Sequence, residues 1–327
     1  MILILQGVRK ELMMKFWATL VVIIFFLFKA TLVYAGHPHF RTTYKLNVSQ
    51  QGHPAALLEL PRRYYQKEKW PLIVNVHGYT SSIFLQYMFT RLSFYKDVLG
   101  FMILTPEGRK DIEGEHYWNG GNFCCDFYKS GVDDTLYIKN LIDYIANDPR
   151  FNRVDMSRIY FFGHSNGGFF SYKMACTYPN YVTAVGVLGA TLDLRDENGE
   201  VIIEQDPCPN VKAVPIFHIH GTKDKTIPFV GKDYYPEHPF GHIGAQEAVD
   251  KWIYHNRCNN QSDESRTNAT WFVRGKETTI KTYGDCEDDA VIKFAVVKKG
   301  QHKEFLRLYF YRKMLKFFLK YSNVEAQ

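Results

Sequence analysis

Six short apolar runs recur along the chain, at Leu72–Val76, Phe101–Leu104, Ile159–Phe162, Val182–Leu188, Pro215–Ile219 and Ile292–Val297. They are largely continuous rather than alternating, which marks strands covered on both faces. Between them lie segments with helical spacing at Asp133–Ala146, Phe169–Tyr178 and Ala245–His255. Strands that alternate with helices predict an α/β fold with a mostly parallel central sheet and helices on both faces. The region Arg41–Leu60 reads as leading antiparallel strands. Near the end, Lys303, Arg307, Arg312, Lys313, Lys316 and Lys320 alternate with Phe, Leu and Tyr at helical spacing, the pattern of a packed helix with one solvated face. No repeat or Pro/Ser-rich linker divides the chain, so residues 36–327 are expected to form a single catalytic domain.

The N-terminus has a different character. Lys15 precedes thirteen uncharged residues, Phe16–Phe28, and Val33-Tyr34-Ala35 follows Lys29. A basic flank, a short apolar centre and small residues at the end predict a signal peptide over residues 1–35. The apolar run falls short of the roughly 20 residues needed to cross a bilayer, so no stable membrane span is expected after cleavage. An uncleaved anchor is the alternative.

Charge changes the picture little. The chain of 327 residues has a formal net charge of +6. Residues 1–35 hold Arg9, Lys10, Lys15, Lys29 and Glu11, so the remainder carries 36 basic and 33 acidic residues, net +3. No basic run with interleaved aromatics appears, and no nucleic-acid partner is expected.

Chemistry enters at Gly163-His-Ser-Asn-Gly-Gly168, directly after the run Ile159–Phe162. A G-x-S-x-G sequence between a strand and a helix is a nucleophile elbow, in which small neighbours tolerate a tight turn at the serine. Ser165 is the candidate nucleophile. A serine hydroxyl needs an imidazole to take its proton, and a carboxylate to orient that imidazole. In a parallel sheet such partners belong beyond the carboxyl ends of strands. Asp224 follows the run Pro215–Ile219, and His302 follows Ile292–Val297. Asp193 is a rival acid. The order Ser165, Asp224, His302 is that of α/β-hydrolases. The loop His77-Gly78-Tyr79 after the run Leu72–Val76 predicts an oxyanion hole from the backbone N–H groups of Tyr79 and Asn166, with His77 supporting the loop. Asp133-Asp134 reads as a helix cap. Asn47, Asn260 and Asn268 head N-x-S/T sequons and imply exposed loops.

The six cysteines are Cys124, Cys125, Cys176, Cys208, Cys258 and Cys286, with no C-x-x-C pair. In an exported chain three disulfides are expected, and no metal site. Cys258 and Cys286 flank one polar hairpin-like segment and form the best pair. Cys124 and Cys125 are adjacent and too strained to join each other readily, so they are expected to reach Cys176 and Cys208.

Several motifs together resemble the secreted polyhydroxybutyrate depolymerase and feruloyl esterase-like group of α/β-hydrolases. They are Leu72-Ile-Val-Asn-Val-His-Gly-Tyr79, Trp118-Asn119 followed by Cys124-Cys125, Val132-Asp133-Asp134, Gly163-His-Ser-Asn-Gly-Gly168, Met174-Ala-Cys176, His218-Ile-His-Gly-Thr-Lys-Asp224 and Asn256-Arg-Cys258. The resemblance covers nearly all of residues 55–302. It implies an α/β-hydrolase fold, a triad at Ser165, Asp224 and His302, no cofactor, and an ester substrate, either polyhydroxybutyrate-type oligomers or feruloyl and acetyl esters. Trp118 and Asn119 are expected either to line the substrate pocket or to pack under the disulfides. The chain departs from the group after the histidine, where Gly300-Gln-His302-Lys-Glu-Phe305 replaces a Gly-Gly-His-x-Trp-Pro-like ending. A serine peptidase, or a catalytically silent binding protein on the same fold, are the alternatives.

Overall fold

A computed structural model of the protein describes residues 42–48, 52–121, 124–192, 206–232 and 241–323. The segment 1–35 read as a signal peptide, Asp193 and residues 233–240 lie outside the described residues.

Ten strands form one sheet in the order β1-β2-β4-β3-β7-β8-β9-β12-β11-β10. Its centre is the set of apolar runs seen in the sequence: β3 (Trp70–Val76), β4 (Met102–Thr105), β7 (Val154–His164), β8 (Ala184–Leu188), β9 (Ile216–Gly221) and β12 (Ile292–Val297). These six pair in parallel. All seven residues of β3 are buried, as a strand covered on both faces requires. β1 (Thr43–Leu46) and β2 (Ala56–Glu59) form the expected antiparallel lead, with Thr43 opposite Glu59. A small separate hairpin joins β5 (Arg109–Lys110) to β6 (His116–Tyr117).

Two strands were not legible in the pattern. β10 (Ser262–Thr267) and β11 (Thr278–Tyr283) extend the sheet antiparallel beyond β12. β10 reads Ser-Asp-Glu-Ser-Arg-Thr with no buried residue. It is an edge strand, where charge prevents further pairing and removes the apolar signal.

The helices are α1 (Ile83–Thr90), α2 (Asp134–Asn147), α3 (Asn166–Thr177), α4 (Ala245–His255) and α5 (Leu308–Phe318). α5 buries Phe310, Met314 and Phe318 against Ile73, Tyr160, Phe162 and Phe217 of the sheet, while Arg312, Lys313 and Lys316 stay exposed. Full burial of such a side chain stabilises by roughly 1.5–3 kcal/mol. Asp133 caps α2 by accepting from the Leu136 N–H at 3.0 Å. Asp134 does something else: it is buried and accepts from His53 Nε2 at 2.5 Å and from the Asn119 N–H at 2.6 Å. Of the sequon asparagines, Asn47 and Asn260 are exposed, whereas Asn268 is half-buried and accepts from Arg307 Nε at 2.7 Å.

Cys258 pairs with Cys286 as expected. The other two disulfides correct the sequence reading: Cys176 joins Cys208, and Cys124 joins Cys125. α3 explains the outcome. Cys176 lies at its C-terminal end, with the Cα of Cys208 5.1 Å away. The 124–125 pair lies at its N-terminal end, where Asn166 Nδ2 is 3.5 Å from Cys124 Sγ. Ten helical residues separate the two ends by about 15 Å, too far for a disulfide to span.

Candidate active site

Ser165 occupies the single residue between β7 and α3, with φ 54° and ψ −125°. Positive φ is costly for a residue with a Cβ and persists where the surrounding structure enforces it. The motif glycines show what enforces it here. A Cβ on Gly163 would lie 2.0 Å from the Gly167 carbonyl oxygen, and one on Gly167 would lie 2.4 Å from that of Val76. Strand, helix and the neighbouring β3 therefore meet backbone against backbone, and the serine side chain projects at the strand's carboxyl end.

The three residues expected to form a triad come together. His302 Nε2 lies 2.9 Å from Ser165 Oγ, and His302 Nδ1 lies 2.8 Å from Asp224 Oδ2. The reason is topological. β9 and β12 are parallel neighbours, so their following turns lie side by side and are laced together: Thr222 N–H to Val297 O at 2.9 Å, Lys223 N–H to Gly300 O at 2.8 Å, and Lys299 N–H to Thr222 Oγ1 at 2.9 Å. Asp224 Oδ1 accepts from the N–H groups of Thr226 at 2.9 Å and Ile227 at 2.8 Å. Burial alone would raise the Asp224 pKa, but the hydrogen bond and charge of His302, with the Ile227 N–H, pull it below the ordinary 3.8. Asp224 is held as an ionised acceptor, so His302 carries its proton on Nδ1 and offers Nε2 to the serine hydroxyl.

The loop after β3 faces this group. Thr80 has φ 60° and donates to the His116 carbonyl at 2.9 Å, and Ser81 N–H donates to Gly78 O at 3.2 Å. Among the described residues, no protein acceptor takes the backbone N–H of Tyr79 or of Asn166. His77 is fully buried beneath the loop. Its Nε2 accepts from the Gly108 N–H at 2.9 Å, and its Nδ1 donates to Gly78 O at 2.8 Å. Burial lowers its pKa to about 4, so it is a neutral support for the loop and not a second base.

Trp118 and Asn119 belong to the scaffold and not to the cleft. Trp118 is completely buried, against Phe170 and His77, and its Nε1 donates to the His77 carbonyl at 3.1 Å. Asn166 Oδ1 accepts from the Trp118 N–H and its Nδ2 donates to Trp118 O, both at 2.8 Å. The side chain of Asn166 thus ties the start of α3, through Trp118, to the loop carrying Tyr79. Asn119 is consumed by Asp134, Val132 O at 3.4 Å and Lys173 Nζ at 2.9 Å.

Four further side chains escaped the sequence reading. His164 is buried next to the serine, and its Nε2 donates to the His302 carbonyl at 2.9 Å. Burial, then the neighbouring His302, lower its pKa to about 3, keeping it neutral. Behind Asp224 runs a buried chain. Tyr172 OH donates to His218 Nδ1 at 2.8 Å, His218 Nε2 faces His220 Nδ1 at 3.4 Å, and His220 Nε2 donates to Ile227 O at 2.8 Å and lies 3.5 Å from Asp224 Oδ2. Burial lowers the pKa of both histidines, so each is neutral and every N–H points toward the acid. The alternation His218-Ile-His220 on one strand, ending four residues before the turn aspartate Asp224, was the available signal, since period 2 puts both rings on one face.

A cleft of about 580 Å³ opens over Ser165 and His302. Leu85, Met88 and Phe89 of α1 and Phe305 give it apolar walls, with Phe89 and Phe305 packed edge to face at 5.5 Å. Phe305 comes from the segment that departs from the group's pattern, so an aromatic borders the histidine from a shifted position. α1 exposes Phe84, Leu85 and Met88 and buries its polar Gln86 and Thr90, the reverse of the apolar-inward pattern that marks a surface helix in a sequence. Among the described residues, no set of three His, Cys, Asp or Glu side chains could hold a metal ion, and no helix is long and apolar enough to cross a membrane.

The sheet order, the elbow and the cleft at the strand ends define an α/β-hydrolase fold. Known proteins agree. The phospholipase/carboxylesterase family profile matches residues 129–239. A bifunctional acetylxylan esterase/xylanase of Neocallimastix patriciarum is 25% identical over 245 residues, covering 71% of this chain. Feruloyl esterase B of Neurospora crassa is 32% identical over 113 residues, covering 35% of the chain. The matched regions span 28% and 36% of these two curated relatives. In fold, the chain is similar to an acetyl xylan esterase from Aspergillus awamori, with a TM-score of 0.60 at 14% identity, over 85% of this chain and 99% of that one. It is also similar to an S-formylglutathione hydrolase from Agrobacterium tumefaciens, with a TM-score of 0.51 at 12% identity, over 85% and 92%. In sequence the chain is thus similar to acetylxylan and feruloyl esterases, and in fold to α/β-hydrolase esterases.

Proposed function

We propose that the protein is a secreted serine esterase that hydrolyses carboxylic esters through Ser165, His302 and Asp224. The observation that carries this reading is the bridging position of His302, 2.9 Å from Ser165 Oγ and 2.8 Å from Asp224 Oδ2. Ser165 Oγ attacks the ester carbonyl as His302 Nε2 takes its proton. Asp224 stabilises the resulting imidazolium. The backbone N–H groups of Tyr79 and Asn166 receive the oxyanion, each worth roughly 3–4 kcal/mol in the transition state. His302 then protonates the leaving alcohol, and water resolves the acyl-enzyme by the same route.

The relatives named above favour acetyl and feruloyl esters over polyhydroxybutyrate-type oligomers as substrates. Three disulfides and the signal-like segment at residues 1–35 support export, because disulfides persist in oxidising compartments. The test uses the purified protein on a 4-nitrophenyl ester, methyl ferulate, acetylated xylan oligosaccharides, hydroxybutyrate oligomers and a matched amide. Turnover of esters that disappears in Ser165→Ala, with fluorophosphonate labelling of Ser165, is the expected result. Activity within tenfold of wild type in Ser165→Ala overturns the assignment, and a preference for the amide makes the protein a peptidase.

A further inference from the structure

The charges in the cleft have one sign. Of the fifteen residues lining it, Arg91 and Lys303 are cationic and none is a carboxylate. Both cations are exposed, and neither forms an ion pair among the described residues. The nearby acids are committed elsewhere. Glu107 accepts from the Ile83 N–H, Asp111 from Tyr79 OH, and buried Glu304 from the Gln301 N–H.

The two cations stand at defined places. Leu85, Met88 and Phe89 of α1 line the cleft, with Ser81 before the helix and Arg91 after it. Arg91 closes that wall just past the helix end, with φ 52°, about 9 Å along the axis from Leu85. Lys303 directly follows His302. A bound ester therefore has its carbonyl at Ser165, an apolar wall beside it, and positive charge beyond. Two like charges bordering an apolar cleft concentrate ligands of the opposite sign, an effect that salt screens.

We infer that the cleft selects esters carrying a free carboxylate at the far end of an apolar segment, with Arg91 and Lys303 as specificity-determining residues. This rests on the serine esterase reading above and not on its acetyl or feruloyl substrates, whose acyl groups carry no such carboxylate.

Three matched 4-nitrophenyl esters test it on the purified protein: the hexanoate, the adipate monoester and 6-(trimethylammonio)hexanoate. They present neutral, anionic and cationic ends on chains of the same length. The expected order of kcat/KM at low ionic strength is anionic, neutral, cationic, with about tenfold or more between the extremes. In 0.5 M NaCl the wild-type ratio should shrink severalfold, a readout that needs no variant. Arg91→Gln and Lys303→Gln should each lower the anionic-to-cationic ratio, and the double variant should bring it near one. Equal kcat/KM for the three esters, or a ratio unmoved by both salt and the double variant, overturns the charge preference while leaving the esterase intact. Turnover of none of the three overturns the esterase reading, and the preference with it.

Discussion

His164, the residue before the proposed nucleophile, donates from Nε2 to the backbone carbonyl of His302 at 2.9 Å, with the two rings 4.8 Å apart. The elbow thus presents the serine and also tethers the loop that carries its proposed base, His302.

Removing that tether should loosen the base while sparing the binding cleft. His164→Ala is expected to lower kcat by about 10- to 100-fold with a smaller change in KM, since an ångström of misplacement costs on that scale. His164→Gln, which keeps a donor of similar reach, should recover part of the loss. Because His164 is neutral down to about pH 3, the deficit should be constant across the neutral range. A His164→Ala enzyme with wild-type kcat would remove the tether from the mechanism.

The chain behind Asp224 predicts a gradient. His220→Leu removes the donor to Ile227 O and the N–H facing Asp224, so kcat/KM should fall at least about tenfold. His220→Gln should fall less. Tyr172→Phe, two side chains further back, should cost the least activity. Steady-state kinetics on the three variants decide this, and a larger loss in Tyr172→Phe than in His220→Leu would contradict it.

Close backbone contact at the elbow predicts an asymmetry between glycines. Gly163→Ala forces a methyl group against the Gly167 carbonyl and should prevent folding or lower stability by about 3 kcal/mol or more. Gly284→Ala meets nothing within 4 Å and needs no positive φ, so its thermal midpoint should match wild type. Paired melting curves check both, and equal midpoints would be inconsistent with the contact.

Buried neutral histidines make stability pH-dependent in a stated direction. In the unfolded chain they titrate near 6.5, whereas folded His77 and His164 are lowered to about 4 and about 3. Below pH 6.5 the unfolded state binds protons that the folded state refuses, so stability falls as pH falls. Each of the two should cost about 2 kcal/mol between pH 7 and pH 5. Asp224 acts with the same sign in a lower window: its pKa is lowered, so its contribution is complete above 3.8 and is lost as pH falls below that. Urea unfolding at pH 7, 6 and 5 should show a progressive loss, and a flat profile would mean that these rings protonate in place.

The central strands and four helices were readable because each carries its own signal: continuous apolar runs, 3.6-residue spacing, and an aspartate cap at Asp133. The order Ser165, Asp224, His302 was readable because each residue follows a strand-like run, and strand ends of a parallel sheet share one edge. β10 and α1 lack such signals, one having no buried residue and the other burying its polar Gln86 and Thr90 while exposing apolar side chains. The sequence by itself determined the fold class and brought Ser165 and His302 to one edge of the sheet, with Asp224 and Asp193 as rival acids, since these follow from short-range pattern and strand direction; the contact of His302 with Asp224 came from the tertiary structure. Only the tertiary structure decided the pairing of Cys124 with Cys125, the scaffold roles of Trp118 and Asn119, the tether from His164, the histidine chain behind Asp224 and the single sign of charge in the cleft. Those depend on distances between segments far apart in the chain, such as the length of α3 between Cys124 and Cys176, and local pattern carries no information about them.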